Sequence, residues 1–137
     1  MRVLINGFGR IGRSVLRAWA QGAAPGIEIV GINDIAAPEM CAYLFEFDSV
    51  FGPWRGSVAL TGGALVVDGR AIPLHRTADI SGLDLSGVDL VMECTGRADA
   101  RDVAERGLRA GAARVLISGP SKAADLTVVL GANDHEL

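Results

Sequence analysis

Apolar positions in this chain follow two rhythms that alternate along its length. Arg2–Asn6 is a short aliphatic run, and the segment after it carries Ile11, Val15, Leu16 and Trp19 at the offsets of one helical stripe. Gly22 and Pro25-Gly26 stop that helix, and Ile27–Ile32 has the β-branched composition of a second strand. Together these pieces predict a βαβ unit of about 30 residues. Pro38 suits a first helical turn, where its missing N–H costs nothing, and Met40, Cys41, Leu44, Phe45 and Phe47 continue a mostly apolar helix. Asp48–Gly56 reads as loop.

Residues 57–76 break the rhythm. Val58–Leu60, Leu65–Val67 and Ala71–Leu74 are strand-like pieces separated by Thr61-Gly62-Gly63 and Asp68-Gly69-Arg70, turns that favour antiparallel hairpins. They predict a small meander inserted before the next central strand, Val88–Cys94. A helix over Asp99–Ala110 follows, with core stripe Ala100, Val103, Ala104 and Leu108, acid-before-base pairs Asp102–Arg106 and Glu105–Arg109, and Gly111 as its stop. Arg114–Ile117 and Thr127–Leu130 read as further strands. The alternation predicts one α/β domain over residues 1–137, a doubly wound parallel sheet with a small antiparallel insertion around residues 57–76.

Composition agrees. Half of the 137 residues are hydrophobic and 21% are charged, as in sheets covered on both faces, and disorder is not expected. The net charge is −3, and the largest basic grouping is Arg10, Arg13 and Arg17 on one helix, so nucleic acid is not an expected partner. The start of the chain lacks a signal-peptide pattern and no apolar run approaches the roughly 18 residues of a membrane span, so a cytoplasmic protein without membrane contact is expected. Cys41 and Cys94 form neither a CxxC nor a Cys/His cluster, which predicts reduced, buried thiols and no metal site.

The candidate chemistry lies at the first strand–helix turn. Gly7, Gly9 and Gly12 stand in GxGxxG spacing directly after a strand and before a helix: Gly7 for the tight bend, Gly9 so that backbone can touch a pyrophosphate, Gly12 for close helix–strand packing. Asp34 ends the second strand 22 residues after Gly12, near the position expected of a ribose-binding acid. The pattern is that of a Rossmann-type dinucleotide site. Its ligand edge would be formed by Asn6–Gly12, Asn33-Asp34, Cys94-Thr95-Gly96 and Ser118-Gly119, with the amides of Arg10 and Ile11 facing the pyrophosphate. A 2′-phosphate beside Asp34 would set like charges about 4 Å apart, costing roughly 1–4 kcal/mol, and no Lys or Arg lies between Asn33 and Leu44, so NAD is expected over NADP. The hydroxyls of Thr95 and Ser118 either meet the nicotinamide half or cap their loops. Cys94 has no base assignable to it and is expected to be unreactive, as is Cys41. His75 and His135 read as structural or solvent-facing.

The motifs Ile5-Asn6-Gly7-Phe8-Gly9-Arg10-Ile11-Gly12-Arg13, Asn33-Asp34, Phe47-Asp48-Ser49, Glu93-Cys94-Thr95-Gly96 and Ile117-Ser118-Gly119-Pro120-Ser121-Lys122 appear in order. The chain resembles, from Met1 to Leu137, the N-terminal half of glyceraldehyde-3-phosphate dehydrogenase. The resemblance implies an NAD-binding Rossmann domain of a phosphorylating aldehyde dehydrogenase, homotetrameric at full length. It assigns Arg10 and Ile11 to the pyrophosphate, Asp34 to the adenosine ribose, Arg76 and Ser118 to further cofactor contacts and Thr95-Gly96 to the cofactor's floor. The family's catalytic thiol, in a Ser-Cys-Thr-Thr motif, is expected beyond residue 137. Residues 1–137 are therefore expected to hold NAD but to be inactive alone, with sugar-phosphate aldehyde and phosphate bound only alongside the catalytic half. Phe51 and Pro53 depart from the family's His and Arg, Cys94 from a common Ser, and Asp134 from an Asn-His-Glu run. Erythrose-4-phosphate dehydrogenases share most of these motifs, and a free-standing NAD sensor is a further alternative.

Overall fold

A computed structural model describes residues Met1–Leu137. Its elements are β1 (Arg2–Asn6), α1 (Arg10–Ala20), β2 (Glu28–Asn33), α2 (Pro38–Glu46), β3 (Phe47–Asp48), β4 (Gly52–Pro53), β5 (Val58–Thr61), β6 (Ala64–Val67), β7 (Arg70–His75), β8 (Leu90–Glu93), α3 (Arg101–Ala104), α4 (Arg106–Arg109) and β9 (Val115–Ile117). Seven strands form one sheet in the order β5-β6-β7-β2-β1-β8-β9. The predicted meander is present, but it is no separate layer: β7 pairs parallel with β2 through Ile32–Leu74 and Asn33–His75, so the hairpins extend the main sheet.

Alternation along the strands divides the core. Val3 and Ile5 of β1 face a cluster with Leu16, Ile32, Phe45, Leu65 and Ile72, while Leu4 between them faces a second cluster with Ile80, Leu85, Val91 and Ala110. Both faces of the central strands are thus covered, as parallel strands require.

Several expectations are corrected. The Asp48–Gly56 loop contains a two-residue antiparallel ladder between Phe47–Asp48 and Gly52–Pro53. Asp48 closes it by accepting from the amides of Val50 and Phe51, which hold its carboxyl below the usual carboxylate range. The helix over Asp99–Ala110 is split at Glu105, because the Asp102 carbonyl is taken by the Arg109 guanidinium at 2.6 Å. Glu105 pairs with Arg101 at 2.6 Å rather than with Arg109, which reaches Asp102 at 3.0 Å. The buried face is Ala104, Gly107 and Ala110; Ala100 is an exposed N-cap and Leu108 is 44% exposed. A side chain at Gly107 would sit 3.0 Å from Val91 and Val115, so small residues let this segment lie on the sheet.

Thr127–Leu130 forms no strand. The Asn133 side chain takes up its backbone, accepting from Val129 N and donating to Thr127 O, a local alternative to pairing with β9. In α1, Ile11 is half exposed instead of buried, whereas Arg17, one of the three cations grouped on this helix, is 5% exposed. Its guanidinium donates to the carbonyls of Phe45 (2.5 Å) and Gly52 (3.0 Å) and lies over the rings of Phe45 and Trp54, tying α1 to α2 and to the β3–β4 ribbon.

Candidate cofactor site

Parallel pairing aligns the carboxyl ends of five strands in one row, in which His75, Asn33, Asn6, Glu93 and Ile117 are successive register partners. Asn6, Gly7, Asp34, Arg76, Thr95, Gly96 and Ser118 lie in this row or just after it, and Gly9, Arg10, Ile11 and Gly12 carry the chain from it into α1; Cys41 and His135 lie elsewhere. The chain leaves β1 toward β2 on one side and reaches β8 on the other, so the switch point of the sheet falls between β1 and β8, above the glycine loop.

The three glycines differ. Gly7 has φ +95° and a Cβ there would stand 2.7 Å from the Cys94 carbonyl carbon; at Gly12 a Cβ would stand 2.2 Å from the Gly7 carbonyl oxygen. Both are glycine for reasons internal to the fold. Gly9 has φ −74° and open space where its Cβ would be. Nothing in the protein demands a glycine there, so the demand is for bare backbone facing outward. Beside it, α1 begins without a side-chain cap, its first helical bond running from Arg13 N to Gly9 O, and the amides of Arg10 and Ile11 have no acceptor in the protein. Free amides, a helix dipole and an uncrowded glycine together suit a diphosphate.

Asp34 lies next to this loop. Its Oδ2 accepts from Phe8 N at 2.6 Å and its Oδ1 from Ala36 N at 2.8 Å, so the carboxylate orients the loop and keeps lone pairs for a diol. Arg76, at the end of β7, donates from Nε to the Ile35 carbonyl at 3.2 Å. A cation therefore does reach the Asp34 neighbourhood, from 42 residues away in sequence, where the local stretch contains none.

On the other side of β1 lies a cleft of about 370 Å³ lined by Arg10, Ile11, Glu93, Cys94, Thr95 and Ser118, among others. Ile11 presents its half-exposed side chain here. The Thr95 hydroxyl serves its own loop: it accepts from Arg97 N at 3.2 Å and donates to Glu93. Gly96, with φ +71°, turns the chain after it. Ser118 lies beside Cys94 in this cleft. Burial pushes the Cys94 thiol up, the Ser118 hydroxyl opposing it, and burial with the nearby Asp34 charge pushes Cys41 to about 11. Both thiols are protonated at neutral pH and neither has a base, so neither is a nucleophile. A second cavity, beside Gln21 and Trp54, is remote from the row.

Beneath the row runs a buried polar chain. Asn33 donates to Thr77 O (3.0 Å) and accepts from Thr77 N (3.0 Å); it also donates to Asn6 Oδ1 at 2.7 Å, and Asn6 donates to Glu93 at 2.5 Å. Asn6 is 6% and Glu93 3% exposed. The Asn6 side chain thus faces its neighbours across the sheet. In the sequence Glu93 stands out only as part of the Glu93-Cys94-Thr95-Gly96 motif, with no role of its own; its signal is a single acid at the last position of the otherwise apolar strand Leu90–Glu93.

A doubly wound sheet with a glycine loop at its switch point, free helix amides and an acid at the end of β2 defines a dinucleotide-binding domain. The chain belongs to the family "Glyceraldehyde 3-phosphate dehydrogenase, NAD binding domain", whose model matches residues 1–101, and NAD is its cofactor. It is 48% identical to glyceraldehyde-3-phosphate dehydrogenase of Xanthobacter flavus over 100% of the chain and 42% of that relative. It is 45% identical to the Thermotoga maritima enzyme over 99% of the chain and 41% of the relative. It is 44% identical to the cytosolic enzyme of Trypanosoma brucei brucei over 97% of the chain and 40% of the relative. The chain thus spans about two fifths of the length of the curated relatives it matches. No helix is long and apolar enough to cross a membrane.

Proposed function

We propose that this chain is the cofactor-binding part of a cytoplasmic, homotetrameric phosphorylating dehydrogenase that converts D-glyceraldehyde 3-phosphate, phosphate and NAD to 1,3-bisphosphoglycerate, NADH and a proton. The names of its relatives support the reaction. In this reading the amides of Arg10 and Ile11 hold the pyrophosphate, Asp34 accepts from the adenosine ribose, and Arg76 flanks it. Thr95, Gly96 and Ser118 floor the nicotinamide half, while Asn6, Gly7 and Gly12 shape the loop. Bound NAD supplies the hydride acceptor. The thiol that attacks the aldehyde is assigned outside residues 1–137, since Cys41 and Cys94 are held protonated. One observation carries the cofactor contacts: Gly9 is a glycine that the fold itself does not need, set beside amides without acceptors.

The test is calorimetric titration of the folded chain with NAD and with NADP. Saturable heat with NAD, and weaker binding of NADP, is expected; no heat with NAD overturns the site. For the activity, the full-length protein should form NADH only when aldehyde phosphate and inorganic phosphate are both present. NADH formation without phosphate, or none with both, overturns the reaction.

A further inference from the structure

The polar chain under the row has a direction. Thr77 meets Asn33 with backbone groups, an N–H that can only donate and a carbonyl that can only accept, at 3.0 Å each. This fixes the Asn33 amide, whose Nδ2 then faces Asn6 Oδ1; that fixes the Asn6 amide, whose Nδ2 faces Glu93. At the far end Thr95 donates to Glu93 Oε1 from its amide at 3.0 Å and from its hydroxyl, which itself accepts from Arg97 N. The relay spans the ends of β7, β2, β1 and β8 and ends on Glu93, whose two carboxyl oxygens receive three donated hydrogen bonds, the complement of a carboxylate.

Glu93 also lines the cleft between β1 and β8, whereas Asn6 does not. Asp34 and the free amides assign the adenosine and diphosphate to the β2 side and the centre, so the cleft takes the nicotinamide half. We propose that Glu93 is a specificity-determining residue: its relay-held negative charge under the cleft favours the oxidised, cationic nicotinamide over the neutral reduced ring. The inference rests on the NAD site proposed above. Its structural contribution, positioning the Thr95–Gly96 turn, would act on both redox forms alike. Its charge would not.

The experiment compares dissociation constants of NAD and NADH for the wild type, for Glu93→Gln and for the double substitution Asn6→Asp/Glu93→Gln. The single substitution sets two donors against each other at Asn6 and is the variant at risk of misfolding. The double substitution exchanges donor and acceptor across the same hydrogen bond, keeps every partner satisfied and moves the charge one strand away from the cleft. Unit charges roughly 10 Å apart at intermediate dielectric change a binding ratio about fourfold. NAD should therefore weaken about fourfold relative to NADH in Glu93→Gln and by a smaller factor in the same direction in the double substitution, which is read when the single one does not fold. Equal weakening of both forms, or an unchanged ratio, overturns the proposal. Failure of the wild type to bind either form overturns the underlying site instead.

Discussion

Replacing Gly9 and Gly12 by alanine separates what the fold needs from what the ligand needs. At Gly12 the new Cβ would meet the Gly7 carbonyl oxygen at 2.2 Å, a backbone clash that neither helix nor strand can relieve, and a loss of about 3 kcal/mol or more is expected. At Gly9 the φ of −74° suits alanine and no atom lies within 4 Å of its Cβ. The restricted unfolded chain contributes about 0.4–1 kcal/mol, and the poorer N-cap takes back a similar amount. Gly9→Ala should therefore melt within about 3 °C of the wild type. Its Cβ would nevertheless stand where the diphosphate approaches the Arg10 and Ile11 amides. Losing one charge-assisted hydrogen bond, about 1.5–3 kcal/mol, weakens NAD roughly tenfold to a hundredfold. Thermal denaturation and calorimetric titration of the two variants decide the matter. A folded Gly9→Ala protein with wild-type NAD affinity would refute the reasoning, as would a Gly9→Ala protein that melts as low as Gly12→Ala.

Asp34→Ala should lower the preference for NAD over NADP about tenfold, a change worth about 1.4 kcal/mol near the low end of the like-charge estimate because Arg76 stands close by; competitive titration with the two dinucleotides would show it, and an unchanged ratio would exclude a role for the charge. Arg17→Ala leaves the Phe45 and Gly52 carbonyls unpaired in the interior and opens a void against Phe45 and Trp54, so about 3 kcal/mol of stability should be lost in urea unfolding; an unchanged midpoint would mean the clamp contributes nothing. Because both thiol pKa values lie above the ordinary one, alkylation at pH 7 should be slower than for an unfolded control. Labelling of Cys41 should rise only as the pH nears 11, and rapid labelling of either cysteine in the folded protein at pH 7 would contradict the assigned burial.

The central strands and the glycine loop were legible because their determinants are local: side-chain period, turn residues and a fixed glycine spacing. The split at Glu105, the absent strand at Thr127–Leu130 and the continuity of β7 with β2 were not. Each depends on which partner a backbone group finds across space: Arg109 for the Asp102 carbonyl, Asn133 for Val129 N, and β2 for the free edge of the meander. Arg17 shows the same limit, since nothing local marks a cation about two turns into an amphipathic helix as buried until the carbonyls that bury it are in place.

What the chain's order of residues settled alone is that a bare loop between β1 and α1, with an acid at the end of the next strand, is built to receive a dinucleotide. Only the tertiary structure distinguished Gly9 from Gly7 and Gly12, brought Arg76 beside Asp34, and set Glu93 as the end of a one-way relay. Spacing encodes conformation along the backbone, but the free space around a Cβ and the direction of a buried hydrogen bond exist only once distant strands lie side by side.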